Sequence, residues 1–235
     1  RLAYKHAIEY HRTRFIGSLI SEASRRFLQR IGGNEALAYR VNQLVIKDVD
    51  WNLIESWVNE GSKRSPELHI DFYLSIPDSI LKDYCKIYTE VLNQAPRDEL
   101  SFGDEVFTPT RWRTIEEHAK ETGRRWISAV AISKDGEIAG LTDVGYEPAT
   151  PSIVYQYLTG VQEKYRGRGL GKWLKAAMLL KIRDEYPDVQ VISTSNSTSN
   201  EPMLAINEKM GFRMKLESYM FEVDVQKVKE YLSQD

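Results

Sequence analysis

The sequence predicts an α/β fold of the α+β type, in which a mixed, mostly antiparallel central sheet is flanked by helices. Three observations support this class. Amphipathic helical segments dominate the first 93 residues, and apolar runs on either side of Asp135 and Gly136 have the pattern of a β-hairpin. Further along, a strand near residue 160 leads through a glycine-rich turn into another helix.

The composition is that of a globular protein, and it argues against several functional classes. The 235 residues are 42% apolar and 28% charged with a net charge of −2, so we expect neither nucleic acid nor a membrane as a partner. One cysteine and four histidines show no metal-ligand spacing, and we expect no metal. Because no stretch reaches about 18 apolar residues and no leader pattern opens the chain, we predict a cytoplasmic protein.

The first predicted elements are helices with one strand between them. Residues 18–31 carry apolar side chains at helical spacing, and Gly32 with Gly33 ends this helix. A strand is predicted over 37–46 and a second helix over 51–59. These assignments make the start of the chain mostly helical.

A proline-containing segment separates the second helix from a third. It is predicted to be a loop over 63–78 with a short extended piece over 69–74. The third helix is predicted over 78–93, and Cys85 lies on its apolar stripe. We therefore expect Cys85 to be a buried core residue rather than a reactive thiol.

The second half of the chain is predicted to build most of the sheet. Strands over 126–133 and 137–146 flank the Asp-Gly turn, and a third strand covers 153–161. The elements after the following helix are a strand over 189–194, a polar loop over 195–199, a helix with Pro202 in its first turn and Gly211 after its end, a strand over 212–223 and a helix over 225–232.

The helix between residue 170 and Pro187 has one apolar face. That face consists of Leu170, Trp173, Leu174, Ala177 and Met178, at positions i, i+3, i+4, i+7 and i+8. The same spacing predicts that Lys172 and Lys175 point into solvent.

The glycine-rich turn, residues 166–172, is predicted to bind an anion. A strand that enters a helix through such a turn leaves several backbone N–H groups aimed at one point, at the positive end of the helix dipole. Gly167 and Gly169 let a bulky anion approach the backbone closely, while Arg166 and Arg168 add charges suited to phosphate oxygens. A pyrophosphate is the ligand that this combination favours.

Spacing separates three pyrophosphate-binding patterns. A P-loop requires Ser or Thr after its lysine, whereas Trp173 follows Lys172. A dinucleotide fingerprint requires a third glycine at position 172 and a parallel crossover, whereas hairpins precede this turn. The third pattern, Arg or Gln followed by x-x-Gly-x-Gly or Ala, is satisfied by Arg166, Gly169 and Gly171. A surface loop without a ligand is the remaining alternative.

From residue 126 to residue 223 the order of these motifs resembles the GNAT family of acyl-CoA N-acyltransferases. The hairpin, the turn motif and the segment from Asn200 to Met210-Gly211-Phe212 follow one another as they do in that family. The segment 156–175 is especially similar to a branch that includes relatives of mycothiol synthase.

The resemblance implies a sheet that splays open beside its central strand and holds acetyl-CoA as a co-substrate. The strand backbone at 158–161 would pair with the pantetheine arm, the turn at 166–172 would hold the pyrophosphate, and three asparagines would line the far wall of the cleft. The cofactor-binding residues implied in this way are Leu158, Thr159, Gly160, Val161, Arg166, Gly167, Arg168, Gly169, Leu170, Gly171, Lys172, Asn196, Asn200 and Asn207.

The resemblance also implies direct attack of a primary amine, from a small molecule or a protein, on the thioester of acetyl-CoA. An alkylamine is almost fully protonated at neutral pH, so a base must take its proton. Asp143 and Glu147, at the end of a strand beside the cleft, are the candidates, with Glu105 as a third. Solvated carboxylates at a strand edge are the alternative interpretation of Asp143 and Glu147.

The resemblance fails at the proton donor for the leaving thiolate. Many family members carry a tyrosine seven residues after the asparagine that starts the last helix of the motif, and counting from Asn200 that position is Asn207. An amide cannot give up a proton. Either Tyr155 or Tyr157 supplies it, or CoA leaves as the thiolate. Because Asn207 stands where many family members carry this tyrosine, a catalytically silent acyl-CoA-binding sensor or scaffold is the alternative function.

Four carboxylates in a short stretch, Asp98, Glu99, Asp104 and Glu105, suggest a cationic acceptor. A solvated acidic loop is the alternative, because such runs are usually exposed.

The resemblance divides the chain at residue 46. Residues 47–235 form the predicted GNAT domain, with 48–125 as its first strand and the helices over the acceptor site. The segment 27–33 and the strand after it resemble the closing helix and strand of another such domain. Residues 1–46 are thus either the remnant of a preceding domain, which a start at Arg1 fits, or an N-terminal extension. The sequence leaves undecided whether the protein forms a homodimer.

Overall fold

One sheet of eight strands runs through the part of the chain that the computed structural model describes, residues 1–101 and 103–233. The strands are β1 (Arg14–Leu19), β2 (Asn34–Val45), β3 (Leu68–Tyr73), β4 (Arg125–Ser133), β5 (Ile138–Tyr146), β6 (Ile153–Val161), β7 (Val191–Ser197) and β8 (Arg213–Asp224). Their order across the sheet is β1-β8-β2-β7-β6-β5-β4-β3. Neighbours are antiparallel except for the parallel pair β6 and β7, so the predicted mixed, mostly antiparallel class is confirmed.

Helices cover both faces of this sheet. They are α1 (Leu2–Glu9), α2 (Glu22–Arg30), α3 (Trp51–Arg64), α4 (Asp78–Asn93), α5 (Pro109–Glu121), α6 (Leu170–Glu185), α7 (Glu201–Met210) and α8 (Val225–Leu232). Among the described residues, no helix combines the length and the apolarity that crossing a membrane requires.

Two apolar clusters lie on opposite faces of the sheet. On the first face, called the α6 face here, Leu174 and Met178 of α6 pack with Ile54 of α3. On the second, the α4 face, Tyr84 of α4 packs with Trp112 of α5. Strand β5 lies between the two clusters and is covered on both sides, so it has no solvent-exposed polar face.

Close packing of α3 against α6 depends on one glycine. A Cβ atom on Gly61 would overlap the ring of Trp173, so only a residue without a side chain fits where the two helices touch. Helix α3 thus lies directly beside the start of α6.

Several predicted elements have the limits expected, and others were missed. The helix over 78–93 and the strand over 153–161 are confirmed, and Cys85 is buried, which raises the pKa of its thiol to about 11. Helices α1 and α5 and strand β1 were not predicted. The polar segment after residue 194 continues β7 as far as Ser197 instead of forming a loop.

Strand β2 lies between β7 and β8 and is antiparallel to both. Tyr39 faces Ser197 on one side and Ser218 on the other. Residues 1–46 therefore contribute two strands, β1 and β2, to the same sheet as the rest of the chain. The division at residue 46, and the origin of the segment before it, stay predictions.

Candidate functional site

The sheet splays open between β6 and β7. These strands pair from Ile153 opposite Val191 to Gln156 opposite Thr194, and then both continue without pairing to each other. At the same point β6 contains one extra residue relative to β5, a β-bulge at residues 157–158. The bulge bends β6 away from β7, and the predicted gap results.

Backbone groups of β6 are turned toward this gap. Gln162 N donates to Ala139 O at 2.9 Å, and hydrogen bonding alternates along an antiparallel ladder. Gly160 therefore points its N–H and C=O at β5, whereas Thr159 and Val161 point theirs into the gap. Of the four residues implied to pair with pantetheine, these two have the orientation that pairing requires.

A cavity of about 820 Å³ connects the gap with the glycine-rich turn. It passes through the sheet, from Lys172 and Ile206 on the α6 face to Tyr88 and Tyr157 on the α4 face. Every implied cofactor residue lines this cavity except Arg168 and Asn207. The residues that the resemblance groups together are thus brought to one place.

The turn presents unpaired backbone N–H groups to the cavity. Gly167 and Gly169 have φ values of +77° and +78°, in the left-handed region that favours glycine. Gly169 is the N-cap of α6, and the first bond of that helix runs from Trp173 N to Gly169 O at 3.1 Å. The N–H groups of residues 170–172 therefore have no acceptor within the helix and can bind an anion.

The two arginines of the turn differ in their roles. Arg166 donates through Nε to Val161 O at 3.2 Å and also contacts Gln94, so its guanidinium lies on the cavity wall. Arg168 instead pairs with Glu67, with an Nη1 to Oε1 distance of 2.8 Å, and lies outside the cavity. The structure thus places Arg166, but not Arg168, on the cavity wall, and the role of Arg168 toward the anion stays a prediction.

The three asparagines lie at different depths. Asn200 caps α7 by accepting from Met203 N at 3.4 Å, and Asn196 lines the cavity. Asn207 is only 1% exposed and donates from Nδ2 to Asn196 Oδ1 at 2.8 Å. Asn207 therefore lies behind the wall and orients Asn196.

Lys175 was predicted to face solvent, and that prediction is wrong. Its side chain is 1% exposed and lines the cavity, with Nζ 5.4 Å from the centroid of the Phe212 ring. Burial lowers the pKa of its ammonium to about 7. The apolar stripe of α6 is wide enough to include this position, and the long methylene stem of lysine packs there as an apolar chain would.

Asp143 is buried in the middle of β5 and is not a solvated carboxylate at a strand end. Its Oδ1 accepts from Tyr84 Oη at 3.0 Å, and Ser128 lies opposite it on β4. Burial raises the pKa of this carboxyl to about 7. Asp143 does not line the cavity.

Two of the other catalytic candidates, Glu147 and Tyr155, also lie off the cavity wall. Glu147 accepts from Arg124 Nε at 2.8 Å, which neutralises its charge. Tyr155 is 39% exposed and outside the cavity, whereas Tyr157 lines it and stacks on Trp126 with ring centroids 4.7 Å apart. Tyr157 is thus better placed than Tyr155 to donate a proton to a ligand in the cavity.

The acidic stretch is already engaged within the protein. Each of its four carboxylates has a polar partner. Arginines offset the charges of Asp104 and Glu105, whereas Asp98 and Glu99 have neutral partners and keep their charges. The pairs are Asp98 with Ser199, Glu99 with Asn34, Asp104 with Arg97 and Glu105 with Arg111. Across the described ranges, no group of three or more His, Cys, Asp or Glu side chains is placed to hold a metal ion.

Comparison with known proteins connects this architecture to acyl transfer. The model of the acetyltransferase (GNAT) family matches residues 79–212. Mycothiol acetyltransferase from Salinispora arenicola is 32% identical over 108 residues, which are 43% of this chain and 34% of that protein. The chain thus spans about a third of the length of this relative.

Solved structures share the fold at low sequence identity. A tandem GNAT protein from the clavulanic acid biosynthesis pathway superposes with a TM-score of 0.76 at 20% identity, over 95% of this chain and 68% of that one. A GCN5-related N-acetyltransferase from Sphaerobacter thermophilus has a TM-score of 0.61 at 14% identity, over 90% and 60% of the two chains. At these identities the likeness is one of fold.

Proposed function

The chain belongs to the acetyltransferase (GNAT) family, whose model covers more than half of it, and on this premise we propose that it transfers an acetyl group from acetyl-CoA to a primary amine. The observation that carries the proposal is the continuous cavity from the free N–H groups of α6 to the gap between β6 and β7. An elongated ligand with a pyrophosphate at one end and amides along its length matches those groups. The proposal places this reaction in the cytoplasm, with acetyl-CoA and an amine as partners.

Each part of acetyl-CoA has a proposed position. The pyrophosphate binds at residues 166–172, with Arg166 beside it, and the pantetheine amides pair with Thr159 and Val161. One N–H of this strand then faces the thioester oxygen and stabilises the negative charge that develops there.

The acceptor reaches the thioester from the α4 face. Tyr88 and Tyr157 line that end of the cavity, and their rings can hold the apolar part of an amine. The acceptor proton leaves through water in the cavity. Asp143 and Glu147 stay the proposed bases. Asp143 has a pKa near 7 but lies off the cavity wall, and Glu147 is paired with Arg124.

A second candidate function is a silent acyl-CoA-binding module. It is favoured by one observation, that Asp143, Glu147 and Tyr155 all lie off the cavity wall. Such a module binds acetyl-CoA and transfers nothing.

The test is release of free thiol from acetyl-CoA in the presence of a panel of amines. The panel contains alkyl diamines, an aminoglycoside and peptides with free N-termini, and CoA binding is measured separately by calorimetry. We expect thiol release that depends on one class of amine, with the acetylated amine as a product. Binding of CoA without release by any amine would support the silent module, and absence of CoA binding would contradict both functions.

Substitution of the two arginines gives a first prediction. Arg166→Ala is expected to weaken CoA binding by roughly tenfold to a hundredfold, because a charge-assisted hydrogen bond contributes about 1.5–3 kcal/mol. Arg168→Ala is the matched control, since Arg168 pairs with Glu67, and we expect little change. Titration calorimetry measures both, and equal losses in the two variants would contradict the assignment.

A further inference from the structure

The floor of the cavity on the α6 face is polar although it is buried. Ile192 of β7 packs in the same core cluster as Leu174 of α6, and strand residues two apart share a face. Thr194 and Asn196 therefore also face α6. Asn42 of β2 lies directly opposite Thr194 and shares that face.

Several polar atoms of this floor lack partners. Within the described ranges, Asn42 Nδ2 and Asn207 Oδ1 are buried without a hydrogen bond. Lys175 Nζ also has neither a hydrogen bond nor an ion pair among the described residues, and its nitrogen opens onto the cavity, 5.4 Å from the centroid of the Phe212 ring. Buried polar groups normally find partners, so an unpaired ammonium here points to an electron-rich group in the cavity.

We propose that Lys175 donates a proton to the CoA sulfur as the thioester C–S bond breaks. This inference rests on the proposed function. The acceptor nitrogen bonds to the carbonyl carbon, the electron pair of the C–S bond goes to sulfur, and sulfur takes a proton from the Lys175 ammonium. The acceptor nitrogen loses its own proton to water, and the neutral lysine regains one from water.

The position of Lys175 suits the departing group. The cavity crosses the sheet, so the amine attacks from the α4 face while CoA extends along the α6 face, where Lys175 lies. Tyr88 and Tyr157, which also carry hydroxyl groups at the thioester end of the cavity, lie on the side of the attacking amine. A proton donor for sulfur is needed on the α6 face.

The acidity of Lys175 matches this role. Its pKa of about 7 is below the ordinary thiol value of about 8.5, so proton transfer to the thiolate is downhill. Burial alone lowers it. The groups that face it from α7, β7 and β2 are neutral amides and a hydroxyl, and Lys172 is the charged group of α6 that lines the same cavity.

The test is the pKa of Lys175 in the CoA complex, followed by the NMR chemical shift of its Cε carbon in lysine-labelled protein during a pH titration. A proton donor to sulfur must be more acidic than the thiol, so we expect Lys175 of the wild-type complex to titrate at least one pH unit below the thiol of bound CoA. Lys175→Met should remove this signal, which assigns it, while changing CoA affinity less than threefold. Lys181→Met is the matched control on the same helix, because Lys181 pairs with Glu185 outside the cavity.

Kinetics provide a second readout once an acceptor is found. Lys175→Met should lower kcat with acetyl-CoA at least a hundredfold, and much less with the selenium analogue, whose selenolate leaves without a proton. Lys175→Gln repeats both measurements if the Met variant does not fold. A Lys175 pKa above that of the thiol of bound CoA would overturn the role of Lys175 and leave the proposed function intact, whereas absence of CoA binding would refute the proposed function.

Discussion

Replacing Gly169 with valine is expected to weaken CoA binding at least a hundredfold, or by about 2.7 kcal/mol. Gly169 has φ +78°, a conformation that is strained for a β-branched residue, and it is the N-cap of α6. Its Cβ would also lie 3.4 Å from Arg64 Nη1. The substitution therefore moves the N–H groups that are aimed at the anion and fills the space through which the anion approaches.

The matched control for this experiment is Gly123→Val. Gly123 has a similar φ of +73° and open space around its missing side chain, and it lies away from the cavity. Both variants should lose comparable thermal stability, but only Gly169→Val should lose CoA affinity in calorimetry. Unchanged affinity of Gly169→Val would refute the pyrophosphate assignment.

Asp143→Asn is expected to remove a large pH dependence of stability. Burial raises the pKa of Asp143 from its ordinary 3.8 to about 7, so between these pH values the folded protein holds a proton that the unfolded chain has released. The free energy of unfolding of the wild type therefore falls as pH rises through this window. At one pH unit per 1.36 kcal/mol, the fall amounts to roughly 4 kcal/mol above pH 7.

Urea denaturation at pH 5 and pH 8 measures this effect. The asparagine cannot ionise and still offers an oxygen to the Tyr84 hydroxyl, so the variant should be more stable than wild type at pH 8. Asp188→Asn, at an exposed position, is the control and should follow the wild-type pH dependence. An identical pH dependence in Asp143→Asn and wild type would show that Asp143 does not titrate in this range.

Elements with local signals were predictable from the sequence. Apolar residues recur along helix α4 with a period of 3.6, and Pro77 directly precedes the helix. The turn at 166–172 is specified by its own glycines. Helix α5 also carries a local signal that was missed, since Thr108 accepts from Arg111 N as its N-cap and Pro109 follows. The anion-binding half of the site was predictable because the backbone of one short segment builds it.

The remaining features depend on contacts that sequence patterns do not contain. The burial of Asp143 follows from the coverage of β5 on both faces, where alternation of polar and apolar residues carries no information. The place of Lys175 follows from the gap between two strands, which leaves a polar floor under α6. The position of β2 between β7 and β8 depends on partners far along the chain.

The placement of β2 makes completion of the sheet wait until residues 191–224 have been synthesised. Its two pairing partners, residues 191–197 and 213–224, lie roughly 150 residues later, which corresponds to about ten seconds or more of translation. During that time the antiparallel strands β3 to β6 can assemble from local contacts, while both edges of β2 stay open. A nascent chain in this state can give β2 to a neighbouring copy, so slow translation or crowding of ribosomes should favour strand-exchanged oligomers over monomers.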